Sequence, residues 1–277
     1  MAPVQSVSEL LESFRSASGA PRLIWYGPGH ERVELSGRVL ENWVAKTSNM
    51  LIEELDATAG STIAVDMPPH WKSFVWALAS WQVGAVTVLD GDAAVDVRLT
   101  MEAAPETPPA GNENELLVLV APGALDMRWA GTLPDGAVDY AATVRAFGDV
   151  YLEDPADSKA ELMRAGDTSY TFSGVMNSAY MRQADMGQAD MGSAAMNQAD
   201  RSQADMGQPD RSQPDRSQAN ESNPGIWLVP ASLPLLTSLP AAVRIWAGGG
   251  TVVLVHPAVE VTDRLLQGER VTARLTA

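Results

Sequence analysis

The chain has 277 residues, 45% of them apolar, no cysteine and a formal net charge of −16 at pH 7. Such a charge repels phosphate backbones and anionic headgroups, so neither nucleic acid nor a membrane surface is an expected partner. The absence of cysteine excludes disulfides, thiolate metal sites and a cysteine nucleophile. MAPVQSVSELLESFRSAS at the N-terminus lacks a basic and then apolar leader, and no apolar run approaches the ~20 residues of a membrane span, so a cytoplasmic protein is expected.

Leu10, Leu11 and Phe14 recur at helical spacing and predict an opening helix over 6–17. LIWY at 23–26 and RVEL at 32–35 are short strands joined by GPGHE, whose turn chemistry predicts a hairpin. Ser36 is placed to cap a long helix with an apolar face running from Val39 to Leu55. TIAVDM at 62–67, WKSFVWALASWQVG at 71–84 and AVTVL at 85–89 read as strand, helix and strand, a right-handed βαβ unit. ELLVLVA at 115–121 is a further buried strand, 126–136 is irregular, 138–147 is a short helix, and 170–182 is a strand running into a helix. IWLVP at 226–230, a helix over 234–249 containing Pro240, and TVVLV at 251–255 form a second βαβ unit. The near-continuous apolar strands predict an α/β fold with a mostly parallel sheet flanked by helices.

Residues 183–222 are eight pentads in phase, from QADMG to QANES. A pentapeptide β-solenoid needs an apolar column, and the central position here holds Met in four units but Arg or Glu in the others. Low complexity and polarity favour a disordered insertion over that alternative. Closing a loop of forty residues rather than ten costs only about 1.2 kcal/mol more. The expected organisation is an α/β body over 1–182, the insertion over 183–222, and a second βαβ unit over 223–277 that completes the same domain.

Little of the chemistry-bearing inventory converges. His30 lies in a turn, His70 opens a helix and His256 follows a strand, without metal-ligand spacing, so no metal is expected. No G-x-S-x-G elbow is present. AGGGTVV at 247–253 leads into a strand, whereas phosphate loops lead out of one into a helix, so it reads as a helix stop. WYGPGHE at 25–31 matches no nucleotide fingerprint. Trp71, Trp76 and Trp81 drift around their helix and read as core. No catalytic residue is assigned. A pocket is expected at the carboxyl ends of the parallel strands, near Asp66, Asp90 and His256, from fold class alone.

RVELSGRVLENWVAKTSNMLIEEL, TIAVDMP, WQVGAVTVL, WAGGGTVVLV and GERVTA, taken in order, resemble segments in the N-terminal domain of the adenylate-forming superfamily, which includes acyl-CoA synthetases and luciferases. ALDMRWAGTLPDGAVDYAATVRAFGDVY at 124–151 is similar to a stretch of a small actinobacterial family, a shortened relative of those enzymes whose activity is not established. The resemblance spans most of 20–275 and does not include the pentads.

The departures carry as much as the likeness. The superfamily's Ser/Thr/Gly-rich loop ending in Pro-Lys-Gly is absent, as are its aromatic-Gly-x-Thr-Glu segment and its C-terminal lid, and no lysine follows Lys159. The resemblance therefore implies a non-catalytic or degenerate homologue, with ATP or AMP as ligands by resemblance only. One alternative is a carboxylate-activating enzyme with an unrecognised or partner-supplied site. The other is an interaction protein whose acidic repeat tract recruits a protein partner.

Overall fold

Val7, Leu10, Leu11 and Phe14 share the buried face of α1 (Val7–Ser16), which opens the chain. The computed structural model describes residues 3–16, 19–89, 93–102, 115–154, 156–157, 159–177 and 224–276. Asp90 and the pentads at 183–222 lie outside them. β1 (Pro21–Tyr26) and β2 (Arg32–Ser36) pair antiparallel as the expected hairpin. Their turn places both Gly29 and His30 at a φ of 67°, a left-handed conformation that histidine adopts at some cost. Ser36 ends β2 and caps α2 (Gly37–Glu53), its hydroxyl accepting from the Val39 N–H at 3.3 Å.

β3 (Thr62–Asp66), α3 (Trp71–Gln82) and β4 (Val86–Val88) form the first βαβ unit, with β3 and β4 parallel neighbours. After them come β5 (Val97–Thr100), β6 (Leu116–Leu119), β7 (Val138–Asp139), α4 (Tyr140–Thr143), the hairpin of β8 (Met163–Ala165) and β9 (Thr168–Tyr170), and α5 (Phe172–Met176). The second βαβ unit is β10 (Ile226–Pro230), α6 (Leu235–Ala247) and β11 (Thr251–Val255), then α7 (Asp263–Gly268) and β12 (Ala273–Arg274).

These strands build two sheets where the sequence led us to expect one. Five strands lie in the order β12-β10-β11-β1-β2, parallel except for β2, and seven in the order β7-β6-β5-β3-β4-β8-β9, parallel except for β9. The second βαβ unit completes the sheet begun by the first strand, because β11 pairs with β1 from Leu23↔Val252 to Tyr26↔Val255. Chain on both sides of the pentads thus contributes to one sheet.

The largest apolar cluster among the described residues joins both sheets through α1, α2, α3 and α6, with smaller clusters on the other face of each sheet. It takes Leu23, Trp25 and Leu254 from one sheet and Ile63, Leu99 and Val118 from the other. All twelve residues of α3 are buried, which is the environment of a helix apolar all round. Trp71, Trp76 and Trp81 are therefore core on every side of α3.

The glycine run after α6 is a helix stop. The N–H groups of Gly248, Gly249 and Gly250 turn back to the carbonyls of Arg244, Trp246 and Ile245. The carbonyls of Gly249 and Gly250 accept from the Arg22 guanidinium. The run presents acceptors where an anion cradle would present donors.

Candidate functional site

β1 and β11 end side by side, and beyond their carboxyl ends opens a cleft of about 650 Å³. The β1–β2 turn forms one wall with Gly27, Pro28, His30 and Glu31. The segment after β11 and helix α7 form the other, with Val259, Glu260, Arg264 and Leu265. The volume suits a small ligand, and parallel strands place ligands at this end.

His256 leaves β11 at that point. Its N–H donates to the Tyr26 carbonyl at 2.9 Å, and its Nδ1 accepts from the Ala258 N–H at 3.1 Å. These bonds bend the chain into the cleft wall, and the imidazole packs edge-on against Trp25, 6.0 Å between ring centroids. His70 lies against the same indole at 4.4 Å. Trp25 thereby contacts two histidines, one following β11 and one capping α3.

His70 caps α3, its Nδ1 accepting from the Lys72 N–H at 3.1 Å. Burial, with Lys72 and His256 adding to it, pushes its pKa down to about 3, so the ring is neutral at pH 7. A neutral imidazole that accepts through Nδ1 carries its proton on Nε2. That Nε2 is buried without a partner, as are the indole nitrogens of Trp25 and Trp71.

From the second residue of α3, the Lys72 amine donates to the carbonyls of Ala121 and Gly123 at 2.6 and 2.7 Å. Burial lowers its pKa to about 8, against the pull of Asp126, Glu31 and Asp139. Glu31 reaches the same loop from the first sheet, its Oε1 accepting from the Ala124 N–H at 3.0 Å. Lys72 and Glu31 thus tie the loop after β6 to α3 and to the β1–β2 turn.

Of the expected pocket residues, His256 lies two residues before Ala258 of the cleft wall and is not itself among the lining, Asp66 is not among it either, and Asp90 lies outside the described residues. Asp66 ends β3 exposed, on the same face as Ala64 and opposite the helix layer that buries Ile63 and Val65. The structure does not bring Asp66 and His256 together. Trp25, Glu31, His70 and Lys72 were not singled out from the sequence as a site. The signal available was the turn GPGHE at a parallel strand's carboxyl end. Among the described residues no cluster of His, Cys, Asp or Glu could hold a metal ion, and no helix is long and apolar enough to cross a membrane.

Comparison with solved structures decides the fold. A Brucella canis acyl-CoA synthetase superposes on 97% of this chain and 46% of its own, with a TM-score of 0.61 and 15% identity. The N-terminal domain of FACL13 from Mycobacterium tuberculosis matches 97% of this chain and 62% of its own, at 0.58 and 13% identity. The chain has the fold of the N-terminal domain of acyl-CoA synthetases. The o-succinylbenzoate CoA synthetase of Bacillus subtilis matches over 98% of this chain and 48% of its own, at 0.56 and 13%. In sequence, a TIGR03089 family protein of Mycobacterium tuberculosis is 39% identical over 133 residues, 47% of this chain and 54% of its own length. The chain therefore spans about half the length of the curated relative it matches. No family model matches the sequence.

Proposed function

We propose that this protein is a degenerate, non-catalytic relative of the adenylate-forming enzymes, retaining the fold as a binding scaffold. The observation that carries this reading is the placement of its lysines. Adenylation calls for cationic groups on the triphosphate and on the reacting carboxylate. Lys46 donates to the Phe147 carbonyl at 2.5 Å, and Lys72 is committed to two carbonyls. Lys159 is exposed in a loop beside Asp157, and no lysine follows it. Neither wall of the cleft carries a lysine, and the permanent cation on its lining is Arg264 of α7. The missing Pro-Lys-Gly loop supports the same reading.

The direct test is incubation with ATP, magnesium and a panel of carboxylic acids, scoring hydroxamate formation. No product is expected, with ATP giving thermal stabilisation at most. Turnover at ordinary ligase rates contradicts the proposal.

A second reading, a carboxylate-activating enzyme whose site a partner completes, draws on the acyl-CoA synthetase fold shared over nearly the whole chain. It predicts turnover only when that partner is added. A third, an interaction protein acting through residues 183–222, rests on the sequence of the tract. We propose a cytoplasmic protein in which 1–182 and 223–277 form one domain around that tract. Deleting 183–222 is expected to leave the melting temperature nearly unchanged, and a large drop contradicts this organisation.

A further inference from the structure

Seven large apolar side chains stand exposed among the described residues, and five of them fall between Leu125 and Leu152. Exposed apolar residues scattered singly are ordinary, whereas a concentration of them marks an interaction surface. Its most exposed part is the segment from Asp149 to Asp154, beyond α4. There Val150 is 58% exposed and Leu152 87%, and between them Tyr151 packs against the main core.

The segment is held in place. The Lys46 amine donates to the Phe147 carbonyl at 2.5 Å, and the Asn49 amide nitrogen donates to the carbonyls of Gly148 and Val150 at 2.9 and 3.0 Å. Both donors come from α2. With Tyr151 packed on the core, the backbone that displays Val150 and Leu152 is fixed before anything binds, which spares a partner the entropy cost of ordering it.

The charge around these two side chains is of one sign. Asp149, Glu153, Asp154 and Asp157 are exposed, and no lysine or arginine occurs from 146 to 158. Among the described residues none of the four carboxylates is in an ion pair. Such a rim repels phosphate backbones and anionic headgroups and attracts lysine and arginine. A second copy of this chain, with its net charge of −16, would bring like charge to the same place. Two apolar anchors in an acidic rim are complementary to a polypeptide that sets apolar side chains among basic ones.

We propose that residues 149–154 are a docking surface for a basic polypeptide segment, whose apolar side chains cover Val150 and Leu152 while its lysines or arginines meet Asp149, Glu153 and Asp154. This goes beyond the reading of the chain as a degenerate adenylating enzyme and does not depend on it. It also concerns a surface outside the pentads.

The probe is the synthetic peptide Lys-Lys-Leu-Lys-Leu-Lys-Lys, with a counterpart in which both leucines are alanine. The acidic pentads attract the two peptides alike, so the leucine-dependent difference is the readout. Titration of the full-length chain at physiological salt, by calorimetry and NMR, is expected to show the leucine peptide binding about tenfold tighter, with shifts centred on 149–154. Leu152→Ser is expected to remove most of that difference, and Leu133→Ser, at another exposed leucine, to leave it intact. Glu153→Gln combined with Asp154→Asn is expected to weaken the leucine peptide and flatten its salt dependence. All these substitutions are at exposed positions, and melting curves establish that each variant is folded. Equal binding of the two peptides, a difference unchanged in Leu152→Ser, or shifts confined to 183–222 overturns the proposal. So does self-association in sedimentation, or binding to phosphatidylcholine vesicles, that depends on Leu152 and takes the place of peptide binding, because either gives the surface a different occupant.

Discussion

The Lys72 amine, from the second residue of α3, donates to the Gly123 carbonyl at 2.7 Å, which fastens the loop after β6 to the central helix. The same amine takes the Ala121 carbonyl at 2.6 Å. Lys72→Met keeps the aliphatic stem and strands both acceptors, so it is expected to lower stability by roughly 2 kcal/mol in urea unfolding. The wild-type protein should also gain stability as pH rises from about 8 toward 10.5, because in that window the unfolded lysine holds a proton that the folded one has released. The variant should lose that rise.

His70 gives the opposite end of the pH scale its slope. The unfolded imidazole takes up a proton near pH 6.5, while the buried one resists until about pH 3. Its contribution is complete above pH 6.5 and is lost progressively as pH falls through that window. His70→Asn can keep a capping acceptor without a titrating ring. Unfolding of the wild type and this variant from pH 7 to pH 4 should show a shallower loss in the variant.

Gly250 is packed rather than flexible. A methyl group there would meet the Gly225 carbonyl oxygen and Ile245 Cγ2, each at 2.8 Å. Gly250→Ala is expected to cost about 1–3 kcal/mol, because the turn after α6 must move away from the backbone before β10. A thermal melt checks this, with Gly268→Ala, which meets nothing within 4 Å, as the neutral control.

Arg98 and Glu115 form a largely buried pair at 2.6 Å across β5 and the start of β6, with side chains 8% and 12% exposed. Arg98 also donates to the Ala93 carbonyl. Glu115→Ala removes a carboxylate that binds the largely buried guanidinium through both oxygens and is expected to cost roughly 3 kcal/mol in chemical denaturation.

That pair also explains what the sequence concealed. TIAVD, IWLVP and TVVLV are continuous apolar runs, and each is a strand where its composition placed it. β5 reads VRLT, and a buried arginine breaks the run that would have marked it. β8 and β9, three residues each and partly polar, give too short a pattern to read. Apolar strands declare burial on both faces but not which strand lies beside which, so two sheets looked like one. The site was less legible for a similar reason. His70 is locally explained by capping α3, and only the fold puts its ring and that of His256 against the same Trp25 indole. Asp66 fitted the strand-end rule, but the alternation of β3 turns it to the opposite face.

The central claim is that the acyl-CoA synthetase fold is kept here without adenylation. ATP–pyrophosphate exchange tests it most directly, because it reports adenylate formation without a need for an acceptor thiol. With saturating ATP, magnesium and pooled carboxylic acids, exchange indistinguishable from the protein-free background is the predicted result. Carboxylate-dependent exchange that persists in the purified chain would contradict the account.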